Sequence, residues 1–305
     1  MNTNFNSSRI SVADALDFID SRKELFKKMP VVPTGLQPEL GNGASAKALL
    51  FDIYGTLLIS EAGDIGLTAL DEDSGKNSFR LTGDRDSREL PVGEVKSLLK
   101  DIIYRHHEII RSGTGGITYP EVDIVSVWEE LFYEMNIDVS DINLVSRAAL
   151  HFELLSNKVD LMPGVEPLFT YLKKQNLKLG IVSNAQFYTP LLMGYLNNSS
   201  LNEMGFQDEY MSWSYLEGCG KPDPLIFRKP VEALNRSGIQ NHEILYIGND
   251  MLNDISCAAS HGLKTVLFAG DKRSLRMRED DPRVQCKADF VITDLMQIKQ
   301  IIQDR

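Results

Sequence analysis

Cysteine is scarce. Cys219, Cys257 and Cys286 are the three in 305 residues, too few and too scattered for a disulfide framework or a zinc site, and they point to a reducing compartment. No stretch approaches the roughly 18–20 consecutive apolar residues of a membrane span. The opening residues, Met1 to Arg9, hold no apolar core of the kind a secretory leader needs. The expectation is a cytoplasmic protein with no membrane partner. Positive charge is short as well: 32 Lys and Arg against 43 Asp and Glu leave a net −11. That is the wrong sign for a chain whose main partner is nucleic acid or an anionic membrane. A small anionic substrate remains compatible, because it needs only a local positive pocket. Internal repeats and low-complexity tracts are missing too. What remains, 43% hydrophobic and 25% charged residues, is an ordinary globular composition, and the length suits one core domain with an insertion. A monomer or homodimer is expected.

The chain is organised around Lys47-Ala-Leu-Leu-Phe-Asp-Ile-Tyr-Gly-Thr-Leu-Leu58. Ala48 to Phe51 form a short apolar run ending in Asp52, and a turn follows at Gly55 and Thr56. This pattern predicts a buried strand of a parallel sheet. Open α/β sheets bind ligands at the carboxyl ends of such strands, which is where Asp52 falls. Leu177-Lys-Leu-Gly-Ile-Val-Ser-Asn184 reads as a second buried strand, and strand and helix signals alternate from there to Thr293. That alternation predicts an α/β fold with a doubly wound, Rossmann-like parallel sheet.

Between these strands the period becomes helical. Val92 to Ile103, Val122 to Phe132 and Leu144 to Leu155 trace three apolar stripes. The resulting division is an N-terminal extension over 1–46, a core over 47–59 and 161–305, and a helical insertion over 60–160. Within the extension, Ser11 to Lys28 has helical spacing with Ser11 and Asp14 as a start signal, and 41–46 reads as a flexible lead-in. Residues 60–90 lack periodicity and read as loop. His106 and His107 are adjacent, hence on different faces of a helix, which argues against a shared metal. Arg80, Arg85, Arg88, Arg105 and Arg111 form a locally basic set, and Tyr119 to Asp123 is a candidate substrate-facing segment. Gln186 lies just past the second strand, in reach of substrate or of the insertion.

Four polar clusters follow or adjoin apolar runs: Asp52-Ile-Tyr-Gly-Thr56, Ser183-Asn184, Lys221-Pro-Asp-Pro224 and Asp250-Met-Leu-Asn-Asp254. Gathered at one sheet edge, they would make a competent site. A carboxylate can attack phosphorus or carbon and hold a covalent intermediate. Ser183 and Asn184 can grip the oxygens of a transferring group, and Lys221 supplies fixed positive charge. Further carboxylates beside Asp52 would suit Mg²⁺, which prefers oxygen ligands and stabilises charge in phosphoryl transfer. Either Asn249 or Asp250 could take the metal-binding place. The i, i+4 spacing of Asp250 and Asp254 on one helix face favours Asp250.

The order and wording of these clusters resemble the haloacid dehalogenase superfamily of aspartate-nucleophile hydrolases. Asp52-Ile-Tyr-Gly-Thr56 is similar to its first motif and Ile181-Val-Ser-Asn184 to its second. Gly220 to Phe227 is similar to the third, and Ile247-Gly-Asn-Asp250 with Asp254 to the fourth. The resemblance covers 47–300 and implies a helical cap over 60–160. It also implies Asp52 as nucleophile, with Tyr54 and Thr56 in its catalytic loop, and Ser183, Asn184, Gln186 and Lys221 toward the substrate. Asp52, the Tyr54 carbonyl and Asp250 would hold Mg²⁺, with Asp254 behind Lys221 or a metal-bound water. One departure matters for chemistry. The family's phosphatases carry an acidic residue two places after the nucleophile, to protonate the leaving group, and here that place is Tyr54. Tyrosine there is the habit of the metal-independent 2-haloacid dehalogenases, whose halide needs no proton, while Asp250 and Asp254 lean toward phosphoryl chemistry. The expectation is a Mg²⁺-dependent phosphatase of a small phosphorylated metabolite. A metal-independent dehalogenase and a weakly catalytic binding or regulatory member are the alternatives.

Overall fold

A computed structural model describes residues 10–61, 78–80, 89–113, 116–138 and 141–302 of the chain. Helix α1 (Val12–Asp20) starts as its sequence predicts, with the Ser11 side chain accepting from the Asp14 backbone N–H. It buries Ala15 and Ile19. The helical spacing expected on to Lys28 stops at Asp20, and after a 3-10 turn (Lys23–Leu25) the chain runs irregularly to β1 (Ala48–Phe51), whose four residues are all buried. A tight turn leads to β2 (Leu58–Ser60). Further on come the short β3 (Ser78–Arg80) and β4 (Glu89–Pro91), which pair antiparallel. The rest of the loop expected over 60–90, with Arg85 and Arg88, lies outside the described residues.

Three helices follow: α2 (Val92–Ser112), α3 (Ile124–Glu134) and α4 (Ile142–Ser156). They pack through Val95, Leu99, Trp128, Leu131, Phe132 and Phe152, all buried. Strand β5 (Val159–Leu161) returns antiparallel to β2, so the helical block hangs on a two-stranded stem. Arg105 and Arg111 are engaged within the helical block itself. Arg105 pairs with Glu130 and Glu134, and Arg111 with Glu108, at exposed positions.

The core then alternates. Helix α5 (Val165–Leu172) precedes β6 (Lys178–Ser183). Helices α6 (Thr189–Asn197) and α7 (Leu201–Met204) precede β7 (Phe206–Trp213). Helices α8 (Ser214–Glu217) and α9 (Leu225–Arg236) lead to β8 (Ile244–Gly248), then a π-helical turn at Met251–Ser256 runs into α10 (Cys257–Ser260). Strands β9 (Lys264–Phe268) and β10 (Phe290–Ile292) and helix α11 (Ile298–Ile301) close the fold. The sheet order is β10-β9-β8-β1-β6-β7, with every pairing parallel. β1 is central, between β6 and β8, and aliphatic on both faces because helices cover both. Phe51, Phe169 and Phe206 stack beneath it at centroid distances of 4.9–6.1 Å.

The stretch before β1 differs from the flexible lead-in expected. Met29 N–H donates to Asp160 at the stem, and Glu39 exchanges both backbone bonds with Val291 on β10. Ala44 N–H donates to the Ile301 carbonyl. Between these points Thr34 Oγ1 donates to the Ala269 carbonyl, and the Val32 and Pro30 carbonyls accept from Lys272 N–H and Arg273 Nη2. Residues 29–44 therefore form a strap bonded along one edge of the sheet. Periodicity could not reveal it, since its stability comes from backbone pairing with residues far away in the chain.

Candidate active site

Asp52 leaves the central strand at its carboxyl end, where the Ile247 carbonyl accepts from its backbone N–H at 2.9 Å. The turn beyond it needs Gly55. Its φ is +83°, and a Cβ there would stand 2.6 Å from the Asn249 amide and 2.7 Å from Ser274 Cβ. Thr56 Oγ1 in the same turn donates to Asn249 Oδ1 at 3.0 Å, tying the first cluster to the fourth.

Ser183 ends β6 beside Asp52, and its hydroxyl donates to Asp52 Oδ1 at 2.9 Å. Asn184 does not reach for Asp52. Its side chain brackets the lysine backbone instead, accepting from Lys221 N–H at 2.7 Å and donating to the Lys221 carbonyl at 3.1 Å. The Lys221–Pro222 peptide is cis. Held this way, Lys221 Nζ makes three short contacts: 2.6 Å to Asp52 Oδ1, 2.6 Å to Asp254 Oδ1 and 2.9 Å to the Tyr246 hydroxyl. Every ammonium proton has an acceptor, the condition for burying a lysine.

Asp254 organises the far side. Its Oδ2 accepts from the backbone N–H groups of Asn249 and Asp250, each at 2.9 Å. The carboxylate packs on the strand end only because residue 248 is glycine: a Cβ there would sit 2.4 Å from Asp254 Cγ. Asp250 does not share a helix face with it, as i, i+4 spacing had suggested. The turn is π-helical, and Asp250 sits at its start, accepting from Leu252 and Asn253 N–H. Its Oδ2 is also gripped by Arg278, at 2.7 Å from Nη2 and 3.2 Å from Nε.

Asp52, Tyr54, Asn184, Lys221, Asn249, Asp250, Asn253, Asp254, Arg276 and Arg278 line one cavity of about 50 Å³. Burial pushes the Asp52 carboxyl up, opposed by the Lys221 ammonium and reinforced by Asp254. Burial works against the Lys221 charge as well, but Asp254 and Asp52 outweigh it and hold its pKa above that of a free lysine. Asp52 Oδ2 takes no hydrogen bond from the described residues. The Asp52 carboxylate is thus fixed through one oxygen and open at the other. Oxygen donors suited to Mg²⁺ are at hand in the Asp52 carboxylate, Asp250 and the main chain at Tyr54, which all line the cavity, and this ion typically needs one or two carboxylates, with water and substrate oxygens completing its shell. Among the described residues no three His, Cys, Asp or Glu side chains are placed to hold a metal ion by themselves. The donors fit Mg²⁺, with Arg278 as competitor for Asp250.

Tyr54 is nearly buried, and its hydroxyl lies 3.1 Å from Thr189 Oγ1. Burial, with Glu153 adding, pushes this phenol well above its usual pKa, so it is a weak proton donor.

A sequence model of the haloacid dehalogenase-like hydrolases matches residues 46–262. The chain belongs to that family. Its relatives include a glyceraldehyde 3-phosphate phosphatase from Pyrococcus furiosus, 28% identical over 144 residues, which are 47% of this chain and 54% of that protein. A phosphoglycolate phosphatase from Nitrosococcus oceani is 29% identical over 162 residues, 50% of this chain and 62% of that one. The chain thus spans little more than half the length of these relatives. Among solved structures, the HAD phosphatase from Thermococcus onnurineus is 20% identical, with TM-score 0.46 over 84% of this chain and 97% of its own.

Thr56 and Gln186 of this haloacid dehalogenase-like hydrolase lie off the cavity and serve positioning, while Asn184 lines the cavity and also holds the Lys221 loop. Thr56 and Asn184 act as described above. Gln186 joins core to insertion, its amide donating to the Val122 carbonyl and accepting from Ile124 N–H. The Tyr119–Asp123 segment docks beside it: Glu121 N–H donates to the Gly218 carbonyl and Gly220 N–H to the Tyr119 carbonyl. Sequence reasoning missed Tyr246, whose signal was one tyrosine in an otherwise aliphatic strand, and the Arg-x-Arg at 276–278 in the loop after β9.

It also missed Glu153, a buried carboxyl on α4 behind Tyr54. Glu153 accepts from Asn157 Nδ2 at 2.8 Å and from the Tyr188 hydroxyl at 3.1 Å. Burial pushes its carboxyl from 4.5 to about 7 against both hydrogen bonds. A carboxyl raised in the folded state contributes its stability below the unfolded value, and that contribution is lost as pH rises toward 7. At about 1.4 kcal/mol per pH unit the loss comes to about 3 kcal/mol. Urea unfolding at pH 4.5 and pH 8 should therefore show Glu153→Gln gaining roughly that much on the parent at the higher pH. A gap independent of pH would refute the assignment.

Proposed function

We propose that this chain is a Mg²⁺-dependent phosphatase of small phosphorylated metabolites. The observation that carries the reading is Asp52: one oxygen held by Ser183 and Lys221, the other facing a polar cavity with no donor among the described residues. Asp52 Oδ2 attacks phosphorus, the bond to the leaving oxygen breaks with its electron pair going to that oxygen, and an aspartyl-phosphate forms. Water then attacks phosphorus and releases phosphate and the free carboxylate. Ser183 and Lys221 steady the nucleophile and the equatorial oxygens, and Asn184 holds the lysine loop in register. Asp52, the Tyr54 carbonyl and Asp250 are the ligands for Mg²⁺, which would screen the repulsion between carboxylate and phosphate. The helical block acts as the cap. The phosphatases among the relatives support this reading.

The test is phosphate release from p-nitrophenyl phosphate and a panel of phosphorylated metabolites, with Mg²⁺ and with chelator. Halide release from 2-chloropropionate is followed in parallel. Phosphate release that disappears with chelator supports the proposal. A second reading, metal-independent displacement of halide from carbon, is favoured by Tyr54 and by the Arg278 clamp on Asp250. Halide release indifferent to chelator would establish it instead.

With the Tyr54 phenol turned to Thr189, the leaving group departs without an acid. Such help is worth about 10²–10⁴-fold. Across a series of aryl phosphates, kcat/KM should fall steeply as the pKa of the leaving phenol rises. A flat series would show that another group supplies the proton.

A further inference from the structure

The cavity around Asp52 holds three carboxylates and three cations. Lys221 is shared between Asp52 and Asp254, and Arg278 is spent on Asp250. Arg276 is different. Its Nη1 donates to the carbonyls of Arg273 and Leu275, at 2.6 and 3.2 Å, and no carboxylate among the described residues pairs with it. Its backbone is pinned to the fourth cluster, donating to the Asn249 carbonyl at 3.0 Å and accepting from Met251 N–H at 2.8 Å. Asn249 Nδ2 donates to the Ser274 carbonyl, and the Ser274 hydroxyl to that of Gly55. The loop carrying Arg276 is therefore locked to the nucleophile turn.

We propose that Arg276 binds a second anionic group on the substrate, a carboxylate on the leaving portion, so that the enzyme selects small phosphorylated acids. This rests on the phosphatase reading. A guanidinium matches a carboxylate with two parallel N–H donors, and Nε and Nη2 of Arg276 have no acceptor among the described residues. Being held in place already, it loses little freedom on binding. The transferring phosphoryl group has its own partners in Ser183 and Lys221.

The experiment compares 2-phosphoglycolate with ethyl phosphate, similar in size but without the carboxylate, in the parent, Arg276→Gln and Arg276→Lys proteins. Losing a charged hydrogen bond costs about 10–100-fold. The ratio of kcat/KM for 2-phosphoglycolate over ethyl phosphate should fall by that factor in Arg276→Gln. Arg276→Lys should recover part of it, since lysine keeps the charge but not the fork. An equal loss on both substrates, or none on either, overturns the proposal. Binding of the same two probes to Asp52→Asn protein, by calorimetry, separates this from failure of the phosphatase reading. Tighter binding of 2-phosphoglycolate that Arg276→Gln abolishes upholds the anion site even if no ester turns over. Equal binding of both probes overturns it whatever the turnover.

Discussion

Asp52→Asn is expected to cut turnover by at least about 10⁴-fold, the scale on which removing a covalent nucleophile acts, while leaving the fold intact. The asparagine side chain has the shape of the carboxylate, and its oxygen can still accept from Ser183 and Lys221 at the places Oδ1 now holds. An amide does not attack phosphorus. The loss should appear in kcat, with substrate binding preserved. Steady-state phosphate release and a thermal melt check both halves. Retention of more than about a hundredth of the activity would mean that Asp52 is not the nucleophile. An unfolded variant would mean that its charge is structural.

Lys221→Met has the largest expected effect on stability. The lysine is the cation shared by two carboxylates, and Nζ lies 2.6 Å from each. Removing it leaves two buried negative charges facing one another. Breaking a buried pair from one side typically costs about 3–5 kcal/mol, much of the roughly 5–15 kcal/mol that holds a domain together. Without the ammonium, the burial that already pushes the Asp52 carboxyl up goes unopposed, so the variant should be least unstable in acid, losing stability as pH rises. Adding Asp254→Asn removes one of the stranded charges and should recover part of the loss. Urea unfolding of the single and double variants measures it. A single-variant cost below about 1 kcal/mol would contradict the charge arrangement.

Much of this site could be read before the fold was known. Asp52 and Ser183 were visible because apolar strands end on them, and Lys221 because Gly220 and Pro222 frame it. The doubly wound parallel sheet followed from the alternation of strand and helix signals, whereas its strand order did not. Other features left no local trace. Arg276 lies in a loop whose period says nothing, and its role depends on hydrogen bonds to Asn249 and Met251. Glu153 sits at a helical position where charge usually means exposure, and only the packing of α4 against Tyr188 makes it buried. The pairing of Asp250 with Arg278 replaced an i, i+4 expectation because a polar residue at a helix start is drawn to the free N–H groups of its own turn.

The matched stretch of the family runs over 46–262, and the strap over 29–44 and the loop over 269–278 both fall outside it. These two flanks buckle together through Thr34 with Ala269, Val32 with Lys272, and Pro30 with Arg273. A chimera that exchanged one flank for that of a relative would leave the other unfastened. Whatever selectivity Arg276 confers is thus inherited as a set: the head of the chain must travel with its tail.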